Sequence, residues 1–216
     1  MHEPARPLSS VRLPPAVITD PWSRLRSLTP ARIALGRTGH ALPTREVLAA
    51  DEAHARARAA VHAPLDIDSL SEQLCPLANG IPPVQVCSAA RDRQQYLLRP
   101  DLGRRLSTAS QHLLSSMPPQ SLGSDLALVI ADGLSTTAVA RHAPAVVQAI
   151  VAHTLPGWTL GPMVLATQAR VALGDEIGSL LSASLIAVLI GERPGLSCQE
   201  SLGIYLTWQP HPGRTD

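Results

Sequence analysis

The sequence predicts an α/β protein with a mostly parallel sheet flanked by helices and preceded by a mainly helical N-terminal region. Two apolar runs, Leu126 to Ala131 and Leu185 to Ile190, have the length of buried strands and are far shorter than the ~20 residues of a membrane span. From residue 125 onward, helical patterns alternate with such runs, as in parallel sheets. We therefore divide the chain into an extended proline-rich arm (1–21), a mainly helical region (22–98) and an α/β domain (99–216).

Composition narrows the class of protein. The 216 residues suffice for one domain with a full core, or for one domain with a helical appendage. The 18 basic and 17 acidic residues give a net charge of +1, which does not favour nucleic-acid binding. Phenylalanine is absent, so the core must be built from aliphatic side chains. The three cysteines lack metal-ligand spacing and suit reduced thiols in a cytosolic setting.

The N-terminal region contains three helix-start signals. Thr29 followed by Pro30 fits an N-cap with proline at the first helical position. Thr44 can cap a second helix that continues to about Val61. Ser69 and Glu72 have capping-box spacing and predict a short helix that ends near Leu74.

Helices and strands follow in the α/β domain. Pro100 and Asp101 begin a predicted helix whose apolar residues recur with helical spacing. After the first strand, Ser135 caps a helix to about His153, and Thr159 to Ala166 is the next strand. The remaining elements are a helix from Gly174 or Asp175 to Ala183, the strand at 185–190, a capping box at Ser197 and Glu200, and a last strand at 204–208.

Two glycine-containing loops, 132–135 and 191–195, follow buried strands and predict a ligand site. In open parallel sheets, ligands bind beyond the carboxyl ends of the strands. The helix after Ser135 should offer amide groups there, and Glu192 should accept hydrogen bonds unless it pairs with Arg193 or a loop amide. Dinucleotide, P-loop and nucleophile-elbow motifs are absent, so Ser135 is interpreted as a helix cap, not as a nucleophile.

Four blocks, in this order, resemble the small subunit of ethanolamine ammonia-lyase. They are RPDLGRRL at 99–106, VIADGLS at 129–135, RVALGDEIG at 170–178 and GERPGL at 191–196. ARIALGRTG at 31–39 and SLGIYLTW at 201–208 also match. The resemblance implies a Rossmann-like domain that binds adenosylcobalamin, the cofactor of the radical conversion of ethanolamine to acetaldehyde and ammonia.

The resemblance also implies specific partners and residues. Val171 and Glu192 match cofactor contacts of the family, Val171 through packing and its main chain, and Glu192 as an acceptor from amide groups of the cofactor. The catalytic residues and most of the ethanolamine contacts would lie on a large subunit in a hetero-oligomer. Family chains continue past the position of Asp216 with a cysteine-containing segment that also contacts the cofactor. The expected location is cytoplasmic, in some members inside a bacterial microcompartment.

Two other functions agree with the same residues. A stand-alone α/β module that binds a nucleotide-like ligand is supported by the loops at 132–135 and 191–195 and weakened by the missing phosphate motifs. A small hydrolase that uses Ser135 is disfavoured because no nucleophile elbow surrounds that serine.

Overall fold

The structure, a computed structural model, describes residues 16–213. The chain divides into two compact units, Met1–His54 and Ala55–Asp216. Most of the predicted proline-rich arm, residues 1–15, lies outside the described residues. Within 16–213, no helix combines the length and the apolar character needed to cross a membrane.

The first unit contains a short 3-10 helix, Pro21–Leu28, that Asp20 caps by accepting a hydrogen bond from the Trp22 amide at 2.8 Å. The helix predicted to start at Thr29 and Pro30 does not form, and that prediction was wrong. The Thr29 hydroxyl instead accepts the Ala31 amide. Ala34 and Gly36 then take positive φ values of 51° and 77°, which end any right-handed helix.

The regular elements are as follows. The α-helices are α1 Thr44–His62, which begins in the first unit and ends in the second, α2 Ile67–Leu74, α3 Arg93–Leu98, α4 Thr108–Ser115, α5 Thr136–His153 and α6 Leu173–Leu180. The strands are β1 Val84–Cys87, β2 Leu126–Ala131, β3 Leu160–Thr167, β4 Leu185–Gly191 and β5 Leu202–Trp208.

The strands form one sheet in the order β1-β3-β2-β4-β5. The first four are parallel, and β5 lies antiparallel to β4 at the edge. Every residue of β2 is buried, as its uninterrupted apolar sequence predicts for a central strand covered on both faces. The predicted mostly parallel α/β sheet is therefore confirmed.

Helices cover both faces of the sheet. On one face, Ala127, Val129 and Ala131 of β2 belong to a hydrophobic cluster with residues of α4 and α6. On the other face, Leu128 and Ile130 belong to a cluster with residues of α2 and α5. Alternate residues of one strand thus enter two separate cores, and the second unit has three layers.

Several predicted helix starts lie elsewhere in the structure. Asp66, not Ser69, caps α2, because its carboxylate accepts the Ser69 amide at 3.0 Å. The helix expected from Pro100 begins only at Thr108, where the Ser107 hydroxyl caps α4. The region before it contains a short 3-10 turn, Leu102–Arg104. The capping box at Ser197 and Glu200 starts no helix, and the Glu200 carboxylate pairs with Arg141 at 2.6 Å.

Residues 22–98 contain α1, α2 and α3, and also the strand β1, which the sequence analysis did not predict. The aromatic side chains are distributed unevenly. Tyr96 is fully buried, whereas Trp22, Trp158 and Trp208 keep 67%, 36% and 56% of their surface exposed. The core is therefore aliphatic apart from one phenol.

Candidate functional site

The carboxyl ends of β2, β3 and β4 meet at one edge of the sheet. The chain leaves β2 through α5 to reach β3 on one side, and then crosses through α6 to β4 on the other side. The strand order therefore reverses between β2 and β4, the position where open α/β sheets bind ligands. The two predicted loops do meet here, since the Leu134 amide donates to the Gly191 carbonyl at 2.8 Å.

Glu192 follows β4 directly and is partly buried. Its main-chain amide donates to the Ser201 carbonyl at 2.9 Å. Its carboxylate oxygen Oε1 accepts the Tyr205 hydroxyl at 2.7 Å, a contact from the antiparallel edge strand that sequence reasoning did not foresee. The phenol therefore holds the carboxylate in place beside the end of β4.

Val171 lies in the turn between β3 and α6, four residues beyond the end of β3. Its carbonyl accepts the Gly174 amide at 2.9 Å, which begins the approach to α6. Its side chain is partly buried against the hydrophobic cluster on the α4 and α6 face. Val171 and Glu192 thus lie on the same edge of the sheet, on segments that flank the end of β2.

Asp132, which follows β2, is the most buried carboxylate at this edge, with 4% of its surface exposed. It accepts the Gln168 amide at 2.9 Å and the Ala169 amide at 3.0 Å, one on each oxygen. Arg93 Nη1 lies 3.4 Å from Asp132 Oδ2. Burial raises the pKa of this carboxyl, and the two amide donors and Arg93 act against that rise.

Arg93 and Tyr96, both on α3, complete a polar network around Asp132. Arg93 also donates to the Gly133 carbonyl at 2.8 Å and to the Val61 carbonyl at 2.7 Å. The ring of Tyr96 packs against the guanidinium groups of Arg93 and Arg170, whose carbons lie 4.8 and 4.6 Å from its centroid. Burial, and then the charge of Asp132, raise the pKa of Tyr96 to about 12.

Ser135 caps α5, as the sequence predicts. The Ser135 hydroxyl accepts the Ala138 amide at 3.2 Å and donates to the Gln199 carbonyl at 2.7 Å. Ser135 is fully buried and Thr136 is 4% exposed. The Ala138 amide is thus satisfied within the chain, and Thr137 in the same first turn is exposed, so the offer of amide groups by α5 to a ligand stays a prediction.

Buried polar atoms without a hydrogen-bond partner are concentrated near the end of β3. Across residues 16–213 such atoms occur in four side chains, and Arg93 Nη2, Gln168 Oε1 and Arg170 Nε belong to this edge. Buried polar groups are rarely left unsatisfied, so this concentration needs an explanation. The described part of the chain brings no three His, Cys, Asp or Glu side chains together as a metal site.

Comparisons with known proteins match most of the chain. Residues 19–216 match the family described as Ethanolamine ammonia-lyase light chain (EutC). The chain is 51% identical over 205 residues to the ethanolamine ammonia-lyase small subunit of Ralstonia nicotianae, covering 94% of this chain and 75% of that protein. It is 50% identical over 211 residues to the protein of that name from Pseudomonas aeruginosa strain PAO1, covering 97% and 77%. For the Xanthomonas campestris pv. campestris strain B100 protein, the values are 53% over 201 residues, covering 91% and 72%.

Proposed function

Because this chain belongs to the ethanolamine ammonia-lyase light-chain family, we propose that it contributes to adenosylcobalamin binding in the conversion of ethanolamine to acetaldehyde and ammonia. When bound, the cofactor would supply the radical chemistry of that reaction. The proposed cofactor-contacting domain is the Rossmann-like part of the chain, residues 99–216. The observation that carries the proposal is the position of Glu192, a carboxylate held at the reversal point of the sheet.

The donors and acceptors at this edge fit a corrinoid. The corrin ring carries carboxamide side chains, each of which offers a carbonyl acceptor and N–H donors. The Glu192 carboxylate can accept from such an N–H. Near the end of β3, the unsatisfied acceptor Gln168 Oε1 can accept from a carboxamide N–H. The unsatisfied donors on Arg93 and Arg170 can donate to a carboxamide carbonyl.

Val171 would contribute packing and main-chain contact. Its partly buried side chain packs against the hydrophobic core, and this packing holds the turn that carries Val171 in place. A segment fixed in this way can meet a large, mostly rigid ligand at a low entropic cost. The roles proposed for Val171 and Glu192 therefore differ, one being apolar and the other a hydrogen-bond acceptor.

The catalytic residues are proposed to lie on the large subunit, to which this chain would bind in a hetero-oligomer. The name of the relatives, small subunit, supports a partner of this kind. Ser135, the nucleophile of the alternative hydrolase function, is fully buried and engaged as a helix cap on both its donor and acceptor sides. The geometry therefore favours cofactor binding over hydrolysis.

Equilibrium binding of cyanocobalamin to the co-expressed large and small subunits tests this proposal. We expect Glu192→Ala to weaken binding about tenfold, the loss typical of a hydrogen bond to a charged group. Glu200→Ala is the matched control. It removes a carboxylate from the same segment, but this carboxylate pairs with Arg141. The control should bind within about twofold of the unmodified complex. Equal affinities for the two variants, or no binding by the unmodified complex, would contradict the proposal.

Activity provides the second test. Acetaldehyde formation from ethanolamine and adenosylcobalamin should require both subunits. Turnover by the small subunit alone would show that the proposed division between the subunits is wrong. Tight binding of a plain nucleotide by the isolated chain, without affinity for a corrinoid, would favour the nucleotide-binding alternative.

A further inference from the structure

We infer that Asp132, Arg93 and Tyr96 are positioning residues that fix the main chain of residues 168–171, and so present Val171 and its neighbours to the cofactor. This inference rests on the proposed function. It adds residues that lie outside the matched cofactor contacts and act through the backbone of the segment after β3. Three features of the structure support it.

The first feature is the unusual backbone of Gln168. Its φ is 55°, in the left-handed region that a residue other than glycine rarely adopts without support from its surroundings. The Asp132 carboxylate accepts the amides of Gln168 and of the next residue, Ala169, at 2.9 and 3.0 Å. One buried side chain therefore holds two successive peptide groups in a conformation that the local sequence disfavours.

The second feature is that Ala169 is held from both directions. Asp132 Oδ1 accepts its amide, and the Tyr96 hydroxyl donates to its carbonyl at 3.0 Å. Ala169 is 1% exposed and lies two residues before Val171. The main chain that leads into Val171 thus has little freedom, which lowers the entropy lost when a ligand binds there.

The third feature is the buried ion pair between Arg93 and Asp132, whose side chains are 16% and 5% exposed. Burying two charges costs desolvation free energy, and apolar residues of similar volume often stabilise a fold as much as a buried ion pair does. Arg93 also ties the end of α1 to the end of β2 through the carbonyls of Val61 and Gly133. The pair therefore serves geometry at this edge more than stability.

The other end of β2 offers a comparison within the same chain. Asp125 accepts the Thr159 amide at 2.8 Å, so a carboxylate holds the backbone there too. It acts without an arginine partner in the described residues, and the only unsatisfied buried polar atom near it is Ser124 Oγ. The buried network and the cluster of unsatisfied atoms occur at the edge where we place the cofactor. Asp125→Asn is therefore the matched control for Asp132→Asn.

The experiment compares these two variants in the complex with the large subunit. Asp132→Asn should weaken cyanocobalamin binding at least about tenfold, because asparagine cannot accept both amides or balance Arg93. Asp125→Asn should bind within about twofold of the unmodified complex. At saturating adenosylcobalamin, Asp132→Asn should keep most of its kcat while its KM for the cofactor rises. A residue that only stabilised the fold would lower the melting temperature without that split.

Two further measurements keep the inference testable if Asp132→Asn folds poorly. Tyr96→Phe keeps the ring between the two guanidinium groups and removes only the bond to Ala169, and it should weaken binding about threefold. Amide hydrogen exchange should speed up at Gln168 and Ala169 in Asp132→Asn, but not in Asp125→Asn. Unchanged exchange at both amides would overturn the inference.

The outcomes also separate this inference from the proposed function. If the unmodified complex binds corrinoid and Glu192→Ala weakens it, yet Asp132→Asn and Tyr96→Phe bind normally, the positioning role alone is wrong. If the unmodified complex binds no corrinoid, the proposed function fails, and the role in presenting the cofactor fails with it. In that case, faster exchange at Gln168 and Ala169 would show only that Asp132 restrains this backbone.

Discussion

Gly133 and Gly191 pack directly against each other at the carboxyl ends of β2 and β4. A side-chain carbon built on Gly133 would collide with the main-chain oxygen of Gly191. One built on Gly191 would in turn collide with the carbonyl of Ser135. The loops after β2 and β4 thus pack backbone against backbone and share the bond from the Leu134 amide to the Gly191 carbonyl, and Glu192 lies in the second of them.

The close approach predicts a large effect of Gly133→Ala. The substitution adds a clash to the strain of a φ of 54°, so we expect a loss of about 3 kcal/mol or more in the free energy of unfolding. Gly157→Ala is the control, because Gly157 has a φ of 87° and no heavy atom within 4 Å of an added Cβ. It should lose only about 1 kcal/mol from backbone strain. Urea denaturation measures both, and equal losses would refute the packing argument.

We expect the buried phenol of Tyr96 to make the protein lose stability in alkaline solution. Burial raises the pKa of Tyr96 from the usual 10.0 to about 12, so the folded protein holds the phenolic proton more tightly than the unfolded chain does. The stabilisation is complete below pH ~10 and is lost as the pH rises toward ~12, by on the order of 2–3 kcal/mol. Urea denaturation at intervals through this pH range measures the free energy of unfolding. It should fall with pH in the native chain and fall less in Tyr96→Phe.

Tyr205→Phe should weaken corrinoid binding while leaving the fold intact. The substitution removes the hydroxyl that donates to Glu192 Oε1 at 2.7 Å and keeps the aromatic ring. A carboxylate that is no longer held in place loses part of its advantage as an acceptor, so binding of cyanocobalamin to the complex should fall about threefold. The melting temperature of the variant serves as its control. Binding as tight as that of the unmodified complex would mean that Glu192 needs no such restraint.

We expect the thiol of Cys198, beside the proposed site, to be reactive. Its pKa is lowered by a hydrogen bond with the Ser201 side chain and by the Glu200 amide, and the residue is exposed. A larger thiolate fraction should make Cys198 react with iodoacetamide faster than the less exposed Cys75. Ser201→Ala should slow the reaction, and bound corrinoid should protect the thiol, because it follows Glu192 by six residues. Peptide mass spectrometry would follow each cysteine, and protection of Cys75 alone would contradict the placement.

The parts of the fold that the sequence predicted are those with strong local signals. The apolar runs that became β2 and β4 are buried on both faces, so their pattern does not depend on distant partners. Ser135 caps α5 because its hydroxyl reaches the amide three residues on, which is a purely local contact. Strand β1 has only four residues and was missed, since its pairing with β3 joins positions far apart in sequence.

The residues missed in the site are those defined by long-range contacts. Asp132 begins the loop at 132–135 that the sequence predicts for the site, but no local pattern marks it, Arg93 or Tyr96 as parts of one network. Hydrogen bonds of Arg93 and Tyr96 join α3 to residues 39 and 73 positions away along the chain, which no spacing in the sequence reveals. The composition carries one signal for Tyr96. Because the chain lacks phenylalanine and has few aromatic residues, an aromatic ring in its aliphatic core is an exception. Only one of those rings, Tyr96, lies in the core.

The exposed positions of Trp22, Trp158 and Trp208 determine what spectroscopy can report on this molecule. Indole emission depends on local polarity, and in this chain the indoles already meet solvent in the folded state. Their fluorescence should therefore change little when the aliphatic core melts, and should shift toward the blue when another surface covers them. Unfolding is better followed by circular dichroism, which leaves the indole signal free to record the association of the two subunits.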